Sequence, residues 1–170
     1  MNVKDSIKEW YYAEGASLIK KYFVDVDGIY STNNGKAKGV YGIYIQTPFG
    51  REIPMYIGMV GAENRSFRDR ITEHSKYYFS RPEFYTGISR TELEEGYKFL
   101  VRILAIEDDE EKRYSIEQNL IEIMKPYLQY GCYPKYKSDY RGFDLAIFPT
   151  YRRRAFLVAR DGKYEELNAI

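Results

Sequence analysis

Residues 39–58 contain the pattern that most restricts how this chain can fold. Gly39–Gln46 is rich in β-branched and aromatic residues, Pro48-Phe49-Gly50 supplies turn residues, and 53–58 has the composition of a returning strand. We therefore predict an antiparallel β-hairpin, against which the remaining segments must pack.

Helices are predicted on both sides of this hairpin. Apolar residues at helical spacing indicate a helix over 5–22, and Ser66 with Asp69 forms a capping signature for a helix that reaches about Tyr78. The stretch 97–106 is apolar at nearly every position, which is typical of a strand buried on both faces.

The C-terminal half adds one more helix and two short strands. We predict a helix over 113–125, ended by Pro126, and strands near 145–148 and 154–159, the second followed by a hairpin turn at Asp161-Gly162. This order of elements indicates an α+β fold, a small mixed β-sheet flanked by helices, with an N-terminal helix and C-terminal strand extensions.

The composition excludes several classes of protein. The 170 residues include one cysteine, Cys132, and one histidine, His74, which excludes an internal disulfide and any two-histidine metal motif. No apolar run approaches the roughly 18 residues that span a bilayer, and the first residues lack a signal-peptide core. We expect a single domain over 1–170 that is cytoplasmic and does not enter a membrane.

Two tyrosines of the predicted hairpin are candidates for chemistry. If Tyr44 pairs near Tyr56, both side chains lie on one face, and their hydroxyls are close enough to share a ligand. A cross-strand aromatic pair without any chemistry explains the same pattern. A second Gly-Ile-Tyr, at 28–30, has no partner at a suitable distance.

The helix that begins near Ser66 places Arg70 and His74 one turn apart, on the side of its apolar stripe. A lone histidine on an apolar face is usually an ordinary core residue. An inward-facing arginine, however, requires an anionic partner. The pair is therefore a candidate for binding phosphate.

Glu117 lies within the apolar arc of the predicted 113–125 helix, whereas Glu122 falls on its solvent side. A carboxylate on a packing face requires a cation, a metal ion or a proton. Two interpretations remain open: a buried salt bridge, most simply to an arginine such as Arg70, or a ligand for Mg²⁺, which favours one or two carboxylates.

Taken together, these motifs resemble those of the GIY-YIG nucleases. Four motifs in the correct order, with compatible helices and strands, are more specific than any one of them. In chain order they are Gly42-Ile43-Tyr44, Tyr56-Ile57-Gly58, Phe67-x-x-Arg70-x-x-x-His74, and Glu117-Gln118-Asn119-Leu120-Ile121 followed by Lys125-Pro126-Tyr127.

The resemblance covers 39–129, which would form the catalytic core, with 1–38 and 130–170 as elaborations. It implies hydrolysis of a DNA phosphodiester with one divalent metal ion, leaving 5′-phosphate and 3′-hydroxyl ends. The family commonly has an asparagine a short way past its Lys-Pro, where this chain has Gln129.

The resemblance also implies a role for each residue that matches a motif. Glu117 would hold Mg²⁺ or Mn²⁺, and Arg70 would stabilise the charge of the transition state. Tyr44 would be the general base, although its pKa near 10 must then be lowered by nearby cations. Tyr56 and His74 would orient water and phosphate.

The stretch before the arginine helix is about four residues longer than the family pattern. This leaves Arg65 and Arg68 as rivals to Arg70, or as contacts to DNA from the inserted loop. The register of Phe67 and His74 favours Arg70.

Affinity for DNA is expected chiefly from the C-terminal third. The net charge is only +1, but between 135 and 160 seven basic residues face two acidic ones, with tyrosines between them. A solvated, arginine-rich surface explains the same charges. The candidate DNA-binding residues are Arg65, Arg68, Lys135, Lys137, Arg141, Arg152, Arg153 and Arg154.

The resulting expectation is a restriction-type, phage or mobile-element endonuclease. Because one active site cuts one strand, a homodimer is expected as well. Two alternatives remain: a nucleic-acid-binding module that keeps the fold without catalysis, and an unrelated α+β interaction domain rich in tyrosine, which accounts for 19 of the residues.

Overall fold

The protein is described by a computed structural model over residues 2–61, 65–130 and 148–163. Helices pack on one four-stranded mixed sheet, so the predicted α+β class with a mixed sheet is confirmed. The strands are β1 (Phe23–Asp25), β2 (Gly39–Gln46), β3 (Glu52–Met59) and β4 (Lys98–Ile106), and they lie in the order β1-β4-β2-β3.

The helices precede, separate and follow these strands. None of those in the described ranges combines the length and the apolar character needed to cross a bilayer. They are α1 (Val3–Trp10), α2 (Ala16–Tyr22), α3 (Phe67–Ser80), α4 (Pro82–Thr86), α5 (Arg90–Glu94), α6 (Glu110–Met124), α7 (Tyr127–Tyr130) and α8 (Phe148–Arg160).

The predicted hairpin is confirmed as β2 and β3, which pair antiparallel. β2 also pairs antiparallel with β4, and β4 pairs parallel with β1. The sequence did not predict β1, which lies in the segment 1–38 and forms one edge of the same sheet. The other edge is β3, where Pro54 is tolerated because an edge strand needs fewer backbone donors.

The core lies between α3 and one face of the sheet. Ring contacts join Tyr41 of β2 to Phe67, and Phe99 of β4 to Tyr78. α3 begins at Ser66 with the predicted capping box, in which the Ser66 and Asp69 side chains bond each other's backbone N–H groups. This cap fixes the position of every α3 side chain over the sheet.

Two predictions about buried elements need correction. β4 is buried only at Phe99, Leu100 and Val101, because Lys98 and Ile106 at its ends are exposed and residues 102–105 are half-buried. The helix predicted over 5–22 is interrupted by a π-helical turn, Tyr11–Gly15, that joins α1 to α2.

The predicted strand at 154–159 is wrong, because these residues belong to α8. The buried residues Ala155, Phe156 and Ala159 have helical spacing, and they pack into the core. Gly162, with φ +74°, ends α8 in a left-handed turn instead of forming a hairpin. Positions 145–147 lie outside the described residues.

Candidate active site

A β-bulge in the hairpin decides which tyrosines meet. Between β2 and β3 the register shifts, so that Tyr44 lies opposite Pro54 but its neighbour Ile43 lies opposite Tyr56. Met55 is the extra residue in β3. Because directly opposed residues share a face, Tyr56 lies on the face of Ile43 and Tyr41, which is the α3 face.

Tyr44 lies on the other face of the sheet. Its hydroxyl points to Sδ of Met124 in α6, 3.8 Å away, and the Arg102 guanidinium lies 6.0 Å from its ring centre. Burial raises the pKa of Tyr44, so its hydroxyl is neutral at pH 7. The predicted arrangement, with Tyr44 beside Tyr56 on one face, is therefore wrong.

Tyr41 lies where Tyr44 was expected. Its hydroxyl is 2.7 Å from Nε2 of His74, and the charge of Arg70 acts on it and lowers its pKa against the larger effect of burial. The Tyr56 ring lies 5.1 Å from the His74 ring, centre to centre. Gly58 of β3 is required here, because a methyl group at this position would overlap the Tyr41 hydroxyl.

Tyr41 and His74 are both neutral, and the tautomer of the imidazole sets which of them donates. Where Nε2 of His74 carries no proton, the Tyr41 hydroxyl donates to it. Burial, with the charges of Arg70 and Arg65, lowers the pKa of His74 to about 3. Burial raises the pKa of Tyr41, so both groups are neutral at pH 7.

Arg70 also pairs with a carboxylate on its own helix. Its Nη1 lies 3.0 Å from Oε1 of Glu73, while Oε2 of Glu73 forms an ion pair with Arg65. Burial alone would lower the pKa of Arg70, but Tyr41 and Glu73 outweigh it and raise the pKa. One carboxylate therefore lies between two arginines, an arrangement in which a phosphate can compete with Glu73.

Glu117 of α6 lies at the free edge of β3. Its half-buried carboxylate accepts a hydrogen bond from the Gln118 side chain, 3.1 Å away, and the Met59 backbone amide lowers its pKa against the larger effect of burial. Burial raises the pKa of Glu117, and its charge acts on Tyr41. The exposed Glu122, on the other side of α6, is ordinary surface, as predicted.

The surroundings of Glu117 fit a divalent cation. A partly desolvated carboxylate gains from a bound cation, and Mg²⁺ commonly takes one or two carboxylates, with water and phosphate completing its ligands. Over 2–61, 65–130 and 148–163, no group of three or more His, Cys, Asp or Glu side chains forms a metal cluster.

Gln129 of α7 occupies a structural position beside Glu117. Its Oε1 accepts from the Ile57 N–H at 2.7 Å, and its Nε2 donates to the Ile57 carbonyl at 2.6 Å. The side-chain amide thus pairs with the edge of β3 as another strand would. This fixes α7, and with it the end of α6, against the strand that contains Tyr56.

Arg68 and the second Gly-Ile-Tyr have structural contacts. Arg68 donates from Nε to the Ile29 carbonyl and from Nη2 to the Thr32 carbonyl, both at 2.9 Å. The Tyr30 hydroxyl bonds Thr72 Oγ1 at 2.7 Å. These bonds attach the loop before β2 to α3.

The three arginines of α8 lie in different environments. Arg152 donates to the Phe84 carbonyl at 2.6 Å, and Arg153 donates to the Gly87 carbonyl and forms an ion pair with Glu92. Arg154 is exposed and lines an open cleft of about 850 Å³ between α4 and α8. Lys135, Lys137 and Arg141 lie outside the described residues.

Tyr41 is the site residue that the motif analysis missed. Gly39-Val40-Tyr41 has the same Gly-aliphatic-Tyr pattern as Gly42-Ile43-Tyr44 and directly precedes it. The two tyrosines are three positions apart, so they must lie on opposite faces of one strand. The sequence thus offered two candidates, and the register selects Tyr41.

Comparison of the chain with protein-family models, with curated proteins and with solved structures gives no match. The resemblance to the GIY-YIG nucleases therefore depends on the motifs and on the arrangement of the side chains described above.

Proposed function

We propose that the protein is a divalent-metal-dependent DNA endonuclease of the GIY-YIG type, with Tyr41 in the role first given to Tyr44. The observation that carries the proposal is the 2.7 Å hydrogen bond between Tyr41 and His74, with Arg70 and Tyr56 beside it. The proposed products are a 5′-phosphate and a 3′-hydroxyl, and the proposed location is the cytoplasm.

Each charged group has one part in the proposed reaction. Arg70 contacts the scissile phosphate in place of Glu73 and stabilises the charge that develops on its oxygens. Glu117 holds the metal ion, Mg²⁺ or Mn²⁺, which when bound neutralises the phosphate and stabilises the leaving 3′-oxygen. Arg65, the second partner of Glu73, adds positive charge at the same point.

The hydrogen-bonded pair provides a route for the proton of the attacking water. The water proton passes to the Tyr41 oxygen while Tyr41 gives its own proton to Nε2 of His74, so the positive charge ends on the imidazole. The anionic phosphate supports this step, because a nearby negative charge raises the pKa of a histidine.

Access to Tyr41 depends on the substrate. Tyr41 has no exposed surface in the free protein, whereas Tyr56, Arg70 and His74 are half-buried. Water reaches the Tyr41 hydroxyl once Arg70 moves from it toward the phosphate. The base is therefore uncovered only when substrate is bound.

The direct test is nicking of supercoiled plasmid with and without Mg²⁺. Glu117→Gln removes the carboxylate charge at nearly constant volume, so cleavage should be lost while DNA binding stays near normal. Glu122→Gln, an exposed change on the same helix, is the matched control. Substantial Mg²⁺-dependent nicking by a folded Glu117→Gln protein would exclude Glu117 as the metal ligand.

The same assay separates the remaining functions. Nicked circles that precede linear product indicate one cut per encounter, and linear product formed at once indicates the proposed homodimer. Binding of DNA without any cleavage would favour a non-catalytic nucleic-acid-binding module. Neither binding nor cleavage would favour the unrelated interaction domain.

A further inference from the structure

A cleft of about 270 Å³ lies between α1 and α3, beside the candidate active site. Basic and aromatic side chains line it, and only one of these residues, Arg65, also has a part in the candidate active site. The residues that matter are Lys4, Lys8, Tyr11, Tyr12, Tyr30 and Arg65, and we refer to this site as the α1–α3 cleft.

A column of three tyrosines forms one wall of the α1–α3 cleft. The Tyr30 hydroxyl is held by Thr72 of α3 at 2.7 Å, and the Tyr11 ring stacks on the Tyr30 ring, 5.9 Å between centres and 9° from parallel. Tyr12 contacts Tyr11 edge to face at 5.4 Å and is 74% exposed. The column thus ends in an aromatic ring that is open to solvent and supported from behind.

The π-helical turn Tyr11–Gly15 supplies both outer tyrosines. A π turn is a rare element that is frequently found at functional sites. Here it lies where α1 joins α2, and Gly15 leaves room for the Trp10 ring. Tyr11 and Tyr12 are therefore held by an unusual backbone that simple packing of an N-terminal helix does not require.

The cations of the cleft lie around this column. Lys4 and Lys8 are exposed and one helical turn apart on α1, so their ammonium groups lie on the same side. Arg65, just before α3, also lines the cleft. An exposed aromatic ring among cations is the arrangement that binds single-stranded nucleic acid, with the base stacked and the phosphates paired.

The α1–α3 cleft is continuous with the candidate active site through Arg65. The guanidinium of Arg65 pairs with Glu73, whose other oxygen lies 3.0 Å from Arg70. Arg65 therefore belongs both to the cleft and to the ion-pair group that contains Arg70.

We propose that the α1–α3 cleft binds an unpaired nucleotide of the DNA strand that is cut, with the base stacked on Tyr12 and its phosphates at Lys4 and Lys8. This inference depends on the proposed function for the position of the scissile phosphate. The proposed substrate is DNA with a single-stranded segment next to the cut, which the protein binds more tightly than continuous duplex.

Binding to two DNA probes in EDTA tests the cleft without cleavage. The first probe is a blunt duplex, and the second is the same duplex with a short unpaired dT tail. The full-length protein should bind the tailed probe more tightly. Tyr12→Ala should weaken binding of the tailed probe about 5- to 150-fold, the usual effect of losing one base–aromatic stack, and change the blunt probe by less than about twofold.

Matched variants control for fold and charge. Tyr114→Ala removes another exposed tyrosine, from α6, and should leave both probes unaffected. Lys8→Ala should lower the slope of log K against log salt by about 0.7 on the tailed probe, whereas Lys20→Ala, an exposed lysine of α2, should not.

The outcomes separate this inference from the proposed function. Equal effects of Tyr12→Ala and Tyr114→Ala on the tailed probe would overturn the cleft assignment, even if the plasmid is cleaved. Tyr12-dependent binding of the tailed probe without Mg²⁺-dependent cleavage would keep the cleft and overturn the nuclease. Preference for the blunt probe would overturn the proposed substrate class.

Discussion

The Tyr41 hydroxyl lies 2.7 Å from Nε2 of His74 and links the sheet to α3 by a buried hydrogen bond. Tyr41 lies in β2, between β3 and β4, and His74 lies in α3, the helix that covers this face of the sheet. Arg70 lies one turn before His74, and its charge acts on the same hydroxyl. Tyr41 and His74 thus orient each other, and the charge of Arg70 acts on both, so that their individual roles are testable.

The first prediction uses the two neighbouring tyrosines of β2. Tyr41→Phe removes the hydroxyl between Arg70 and His74, so we expect nicking to slow by roughly 10²–10⁴, the usual contribution of a general base. Tyr44→Phe removes only a weak contact to Met124 and should change the rate by less than about twofold. Rate constants for plasmid nicking measure both.

Stability provides the control for this pair. Tyr41→Phe leaves His74 Nε2 without its partner, so the free energy of unfolding should fall by about 1–3 kcal/mol in urea titrations. A folded Tyr41→Phe protein with full activity would return the general-base role to Tyr44 or to Tyr56.

The second prediction concerns His74, whose ring signals are unambiguous because it is the only histidine of the chain. With a pKa of about 3 in the folded protein, its NMR shifts should stay those of neutral imidazole from pH 8 to about pH 4. A bound oligonucleotide should raise this pKa, because phosphate offsets the charges of Arg70 and Arg65. A free-protein midpoint near 6.5 would contradict the burial of His74.

The same shift predicts how stability depends on pH. Below about pH 6.5 the unfolded chain binds a proton at His74 that the folded protein does not bind. Neutral His74 therefore makes its full contribution to the free energy of unfolding above pH 6.5. This contribution is lost as the pH falls toward 3, by up to about 1.4 kcal/mol per pH unit. Glu117, whose pKa is raised, acts in the opposite direction, so the His74→Gln variant is needed to isolate the slope.

Local sequence patterns were sufficient to predict the hairpin, α3 and α6. The capping residues Ser66 and Asp69 fixed the start of α3, and the helical angle of Glu117 correctly separated it from the exposed Glu122. Each of these predictions depends on residues within a few positions of one another, where propensity and periodicity act directly.

The choice between Tyr41 and Tyr44 depended on information that the sequence does not display. Next to the turn, Tyr44 lies opposite Pro54. If this register continued along the hairpin, Tyr56, two residues after Pro54, would lie on the same face as Tyr44. The extra residue at Met55 shifts the register by one position and turns Tyr56 to the α3 face. Bulges respond to packing on both sides of a sheet, so no local pattern marks this one.

The error at 154–159 had a different cause. Three consecutive arginines, Arg152, Arg153 and Arg154, were interpreted as one surface for DNA, and the apolar residues after them as a strand. In α8 these arginines point in different directions, 100° apart, and only Arg154 is exposed. The partners of the other two lie more than 60 positions away in sequence.

The third prediction concerns Glu73, whose carboxylate lies between Arg65 and Arg70. Glu73→Gln removes the group with which a phosphate must compete, so DNA at fixed salt should bind about fivefold more tightly. Glu122→Gln changes the net charge equally at a distant position and controls for the global effect. Equal affinities of the two variants would mean that neither arginine contacts phosphate.

The last prediction separates the neighbours Arg153 and Arg154. Among the described residues, Arg153→Ala leaves Arg160, whose Nη1 is 3.7 Å away, as the remaining cationic partner of Glu92, so the free energy of unfolding should fall by about 1–3 kcal/mol at pH 7. Arg154→Ala, an exposed change, should stay within about 0.5 kcal/mol. Urea titrations of both variants provide the comparison.

The pH dependence of the Arg153→Ala effect provides its control. Burial opposes ionisation of Glu92, but hydrogen bonds from Arg153 and Ser89 outweigh it and lower its pKa. The ion pair therefore stabilises the folded protein fully above pH 4.5, and this stabilisation is lost as the pH falls through the lowered pKa of Glu92. The loss of unfolding free energy caused by Arg153→Ala should then be smaller near pH 3. A deficit that is independent of pH would assign the role of Arg153 to its bond with the Gly87 carbonyl.

If Arg154 contacts DNA, Arg154→Ala alone should reduce the slope of log K against log salt on duplex DNA by about 0.9 without changing stability.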